Sequence, residues 1–117
     1  NAPKIFHVNW FRTDDEGNFV WPGFGDNARV LNWIVERCEG KADATETAIG
    51  YIPMPEDIDL TDLDFDIETL KSILAVDNDV WAKEAAEIEE HYKKFGDKLP
   101  EELKEQLETL KANLAKM

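Results

Sequence analysis

Two stretches near the end of the chain carry apolar residues at alternating steps of four and three: Trp81, Ala85, Ile88, Tyr92 and Phe95 in the first, Leu103, Leu107, Leu110, Leu114 and Met117 in the second. That spacing lines each set along one side of an α-helix and leaves the charged residues on the other. Gly96-Asp97-Lys98-Leu99 joins them, a link so short that the two helices must be antiparallel neighbours. Gly96 suits a left-handed helix end, and Pro100 suits the first turn of the next helix. The pattern predicts helices over 79–95 and 100–117, packed as an αα-hairpin closed by Trp81, Ile88, Tyr92, Leu103, Leu107 and Leu110. Glu89–Lys93 and Glu90–Lys94, acid first at i,i+4, mark the solvent side.

Upstream the periodicity changes. Lys4 to Phe11 alternates, with Phe6, Val8 and Trp10 on one side and Ile5, His7, Asn9 and Phe11 on the other, which predicts a strand. A polar turn from Thr13 to Asn18 leads to Phe19-Val20-Trp21 as a brief return of extended chain, and Pro22-Gly23-Phe24-Gly25 admits no regular element. Asp26 or Asn27 then caps a helix in which Val30, Leu31, Ile34, Val35 and Cys38 share a face and Gly40 supplies the stop. A short strand is expected from Thr47 to Pro53, an acidic loop from Pro55 to Asp66, and a helix over 67–75 with Asp66 near its start. The expected fold class is α+β and helix-dominated: N-terminal strand, aromatic glycine-rich loop, helix, short strand, then three helices ending in the hairpin.

With 117 residues the chain fits one domain or a piece of a larger one. Opening at Asn1 and entering strand-like sequence at once, it reads as an excised fragment with residues 1–2 as a cleavage scar. A formal charge of −13 argues against binding to a phosphate backbone, so nucleic acid is not an expected partner. No apolar run approaches the roughly twenty residues of a membrane span, no charged-then-apolar leader opens the chain, and the single Cys38 closes no internal disulfide. These features read as a cytoplasmic protein without a membrane partner. Charge and aromatics are segregated: residues 1–40 carry a net −2 and 41–117 a net −11, whereas six of the twelve aromatic residues lie between Phe6 and Phe24. Chemistry is to be sought in the first third.

There, Trp10, Phe11, Phe19, Trp21 and Phe24 surround a glycine-rich loop that opens a helix at Asn27. Aromatic faces stack on any base, so selectivity must come from polar groups at the ring edge. The Asn27 amide both donates and accepts, and backbone N–H groups from Phe24 to Asn27 at a helix start favour a carbonyl oxygen such as guanine O6. The competing reading makes Phe11, Phe19 and Phe24 ordinary core residues and Asn27 only a cap. Elsewhere structural roles are expected: His7 as a hydrogen-bonded strand residue, His91 on a charged helix face, Cys38 as a small buried hydrophobe. The acidic run Glu56 to Asp66 invites a calcium reading, but counting from Asp57 puts Asp62 where an EF-hand loop needs Gly. No G-x-x-x-x-G-K-[ST] loop and no metal-ligand spacing occur, so neither catalytic residues nor metal ligands are expected in the chain.

His-Val-Asn-Trp-Phe-Arg at 7–12, Phe-x-Trp-Pro-Gly-Phe-Gly-Asp-Asn-x-Arg-Val-Leu at 19–31, Glu-Gly-Lys-Ala at 39–42, Ile-Gly-Tyr-Ile-Pro at 49–53 and Leu-Pro-Glu-Glu at 99–102 resemble the C-terminal end of GTP-dependent phosphoenolpyruvate carboxykinase. The resemblance implies that residues 1–117 are the C-terminal portion of the nucleotide-binding α/β domain of a larger gluconeogenic lyase. That enzyme converts oxaloacetate and GTP to phosphoenolpyruvate, GDP and CO2. The resemblance further implies a guanine site for GTP or GDP, with Phe11 and Phe24 as the clamp, Phe19 as third wall, Trp10 as edge support, and Phe24, Gly25, Asp26 and Asn27 as the polar reader. Its Mn2+ and Mg2+ would be liganded outside this chain, whose partners are then the nucleotide and the remainder of the enzyme, and the isolated fragment would be inactive. Where the family more commonly has Glu-Asn-Ser, this chain has Asp26-Asn27-Ala28, which removes any hydrogen bond from the serine hydroxyl at the helix start. The alternative function is an acidic helical interaction module whose aromatic patch takes a peptide or a small planar ligand.

Overall fold

Trp33, 3% exposed, lies in a core that it shares with Trp21, Ile58 and Leu70. Phe6, Trp10, Val30, Ile34, Leu60, Phe65 and Leu74 pack around these four, with Phe6 edge-on to the Trp33 ring at 6.1 Å. All belong to one of two compact units in the computed structural model, which describes residues 1–117: Asn1–Thr45 with Ile52–Ala75. The second unit is Glu46–Tyr51 with Val76–Met117.

In the first unit, a 3-10 turn at Phe24–Asp26 runs into helix α1 (Asn27–Cys38). Side chains three and four apart share a helix face, and Val30, Trp33 and Ile34 are the ones that α1 presses into the core. Leu31 and Val35 lie about a hundred degrees round the helix and are exposed. Cys38 follows them into solvent, which corrects its expected burial. Helix α2 (Ile67–Leu74) is capped by Asp66, whose carboxylate accepts the Glu68 N–H at 3.0 Å, as its position suggested.

The strand expected over 4–11 does not form. Its alternation holds at both ends, since Phe6 and Trp10 turn inward while Ile5, His7, Asn9 and Phe11 stay exposed. A strand also needs a hydrogen-bonded neighbour, and the nearest pairing is a single antiparallel bridge, Thr13 to Phe19. Period-two burial is present without a ladder.

The strand read over 47–53 becomes a hairpin, whose residues Glu46–Tyr51 belong to the second unit. It joins β1 (Thr45–Thr47) to β2 (Gly50–Ile52), because Thr47 Oγ1 donates to the Gly50 carbonyl at 2.7 Å and tightens a turn at Ala48-Ile49. Helices α3 (Asn78–Tyr92) and α4 (Glu101–Lys116) pack against each other as the apolar spacing predicts. Ala85 and Leu107 are buried on the seam, Trp81, Ile88, Tyr92 and Leu110 are half-buried, and Leu103 is the most open member. Gly96, at φ 52 and ψ −130, breaks the helical path between them, a conformation that a side chain would strain. Phe95 falls in that irregular link and leaves the seam for an edge contact with His91. Glu89 is taken across the seam by Lys111 at 2.8 Å, and Lys93 pairs with Glu90 instead. No helix is long and apolar enough to cross a membrane.

Candidate functional site

Phe11, Phe19 and Phe24 are 72%, 65% and 93% exposed, so none of these rings belongs to the core of this chain. Each is held at the surface by its own local device. Asn9 Oδ1 accepts the Phe11 N–H at 3.0 Å, an Asx turn that fixes the backbone under that ring. Asp14 organises the loop that returns to Phe19: its Oδ1 accepts the N–H groups of Glu16 and Asn18, each at 2.9 Å, and Val20 N–H closes onto the Arg12 carbonyl at 2.9 Å. Phe11 and Phe19 thereby meet edge to face, centroids 5.9 Å apart. Phe24 rises from a turn in which Gly23 adopts φ 126 and ψ −168, a region open to glycine. Trp10 lies on the core side, tilted against Trp21 at 6.5 Å.

The polar rim is built beside Phe24. Asp26 occupies the N-cap position of α1, yet its carboxylate binds Arg29 Nε at 3.0 Å and makes no cap hydrogen bond. Arg29 also donates to the carbonyls of Asp59 and Thr61, at 2.6 and 2.9 Å, and so ties the acidic loop to the start of the helix. Asn27 is the first residue of α1, and its side chain is no cap either: its Oδ1 accepts the Trp21 indole N–H at 2.8 Å. The aromatic surface and the amide thus share one turn of backbone, and Gly25 lies between Phe24 and Asp26 with open space where a Cβ would stand.

The bonds that the Asp14 carboxylate accepts from the N–H groups of Asn18, foremost, and Glu16 hold its carboxyl below the ordinary aspartate range. A group depressed in this way contributes order above its ordinary value of about 4, and that contribution is lost as pH falls through the lowered value. The Glu16 and Asn18 amides are therefore expected to stay protected from hydrogen exchange at pH 5 and to lose protection, measured against the intrinsic rate at each pH, only below about pH 4. Loss of protection between pH 7 and 5 would contradict this anchoring.

Of the sequence-predicted site residues, Phe11, Phe19, Phe24, Gly25, Asp26 and Asn27 are accessible or half-buried around the loop, and Trp10 supports them from the core. Asn9, Asp14, Trp21 and Arg29 had no expected role in positioning them. Asn9, two residues before Phe11, and Arg29, three after Asp26, carried a readable local signal; the indole bond of Trp21 did not. Asp62 takes φ 59, the left-handed geometry a glycine would give, but no three His, Cys, Asp or Glu side chains converge to hold a cation there or elsewhere in the chain.

Residues 1–113 match the phosphoenolpyruvate carboxykinase C-terminal P-loop domain. The chain belongs to the GTP-dependent phosphoenolpyruvate carboxykinase family. Phosphoenolpyruvate carboxykinase (GTP) of Renibacterium salmoninarum is 56% identical over 112 residues, which cover 96% of this chain and 18% of that protein. The Arthrobacter enzyme of the same name is 54% identical over 113 residues, with coverage of 97% and 18%, and that of Treponema pallidum 50% over 115 residues, with 97% and 19%. The chain therefore spans less than a fifth of the length of these phosphoenolpyruvate carboxykinases, and it aligns across both of its units.

Proposed function

We propose that this chain is the guanine-binding end of the GTP site of a phosphoenolpyruvate carboxykinase, within a larger α/β nucleotide-binding domain. The whole enzyme converts oxaloacetate and GTP to phosphoenolpyruvate, GDP and CO2 in the cytoplasm: the carboxylate-bearing C–C bond breaks, and the enolate oxygen takes the γ-phosphoryl group. The share of this chain is to hold the base. Mn2+ and Mg2+ would neutralise phosphate and enolate charge during such a transfer, and the side chains here do not fit that task, because no three ligating groups come together. Without a phosphate loop or metal ligands, the isolated chain performs no turnover.

One observation carries this reading. Three phenylalanines stand 65–93% exposed beside a helix start whose first side chain is an anchored amide. Exposed aromatic surface of this extent marks a contact site, and its faces fit a flat heterocycle. Phe19, edge-on to Phe11, props that ring as a wall, while the N-terminal end of α1 favours a carbonyl oxygen at the ring edge. The test places 4-fluorophenylalanine singly at Phe11, Phe19, Phe24 and, as control, Phe95 in an intact enzyme carrying this segment. Adding GDP is expected to shift the three fluorine resonances and leave Phe95 in place. Saturating GDP with all three unmoved would overturn the reading.

A further inference from the structure

The bond from the Trp21 indole to Asn27 has a consequence for which base the site accepts. An indole N–H can only donate. At 2.8 Å from Asn27 Oδ1 it holds the oxygen end of the amide inward and directs the nitrogen end, Nδ2, away from itself. A free asparagine presents either end with similar ease. This one is held as a donor.

We propose that Trp21 is a positioning residue for base selectivity: by engaging Asn27 Oδ1 it fixes Nδ2 as the group offered to the ring edge, which matches the O6 acceptor of guanine and opposes the N6 donor of adenine. The inference rests on the guanine-binding reading of the aromatic loop and adds how that loop tells one purine from another. Trp21 is itself 7% exposed, packed edge-on against Phe65 at 5.5 Å and tilted against Trp10, so its N–H vector is set by the core and not by the ligand. Asp26, the other polar side chain at this helix start, is committed to Arg29 and does not compete for Asn27. A donor oriented before the ligand arrives discriminates against an unmatched partner more strongly than one that can rotate to suit it.

The test uses an intact carboxykinase carrying this segment and four nucleotides: GDP, IDP, which keeps O6 but lacks the 2-amino group, ADP, and 2-aminopurine riboside diphosphate, which lacks O6. Trp21→Phe is expected to weaken GDP and IDP by about 3–10-fold, the worth of one net hydrogen bond, with ADP and the 2-aminopurine nucleotide nearly unchanged. A merely structural loosening of the loop would weaken all four alike, and that pattern would overturn the proposal. Should Trp21→Phe fail to fold, site-specific replacement of Trp21 by 3-benzothienylalanine keeps the ring volume, puts sulfur in place of the N–H, and is expected to act in the same way. Asn27→Asp separates the inference from the reading on which it rests. Its carboxylate still accepts from Trp21 but offers oxygen at the ring edge, so GDP and IDP are expected to fall and ADP to hold. A GDP-to-ADP ratio changed by Asn27→Asp but unmoved by both Trp21 replacements would overturn the positioning role alone. A ratio unmoved by all three would overturn that role together with the assignment of Asn27 to the base.

Discussion

Replacing Trp33 by Ala is expected to destabilise the unit formed by residues 1–45 and 52–75 by about 3–5 kcal/mol, the range for deleting a large buried aromatic side chain. The ring is 3% exposed, lies in the core with Trp21, Ile58 and Leu70, and meets Phe6 edge-on, so its removal takes away contacts with each part of that core. A small domain has a total stability of about 5–15 kcal/mol, which makes this a large share. One term works the other way. The Trp33 Nε1 is buried without a hydrogen-bond partner, a defect that costs about 1–3 kcal/mol in the parent and is lifted by any apolar replacement. Trp33→Phe, which keeps most of the ring, is therefore expected to cost only about 1–2 kcal/mol. Native-state hydrogen exchange resolves the effect by position: Trp33→Ala should strip protection from amides of α1 and α2. Unchanged protection there, or equal losses for Ala and Phe, would show that Trp33 does not organise this core.

The helices were legible because their signals are local. Trp81, Ala85, Ile88 and Tyr92 repeat along one side of α3, and Leu103 to Leu114 along α4, so the pairing of those helices follows from spacing alone. Where the sequence misled, the missing information was non-local. Phe6 and Trp10 are buried with the alternation of a strand, yet whether a strand forms depends on a neighbour that the alternation cannot supply. Cys38 shared an apolar stripe with Leu31 and Val35, but a stripe does not say how wide the opposing core is, and here that core meets only Val30, Trp33 and Ile34.

The candidate site divides along the same line. The aromatic and amide residues could be picked out by type and by resemblance, whereas what orients them could not. Asn27 looked like a helix cap and instead accepts from a tryptophan six residues earlier. Asp26 looked like the alternative cap and instead binds Arg29, which also gathers the carbonyls of Asp59 and Thr61 from thirty residues on. These are side-chain choices among several acceptable partners, and packing of the whole unit decides among them. The consequence is a division of labour: exposed rings supply contact area, and a buried scaffold supplies orientation.

Phe24→Ala in an intact carboxykinase carrying this segment is expected to weaken GTP, GDP and IDP alike by about 1–3 kcal/mol, the worth of one base–aromatic stack, or roughly 5–150-fold in Kd. Phe24 is the informative ring because it is 93% exposed in this chain, so truncating it opens no cavity in the chain's own core, and an unchanged melting temperature of the variant enzyme marks any loss as a loss of binding. Uniformity across the three nucleotides follows from the physics of stacking, which uses the π-face that every purine presents and ignores the groups at its edge. ADP, to the extent that it binds at all, should be weakened by the same factor, leaving the guanine-to-adenine ratio where it was. Calorimetric titration of each nucleotide, paired with thermal unfolding of the variant, checks both halves. An unchanged affinity would reassign this aromatic surface to contact with the remaining four-fifths of the enzyme. A fall in affinity for guanine nucleotides alone would mean that Phe24 acts through the orientation of Asn27, three residues away, and not through its own face.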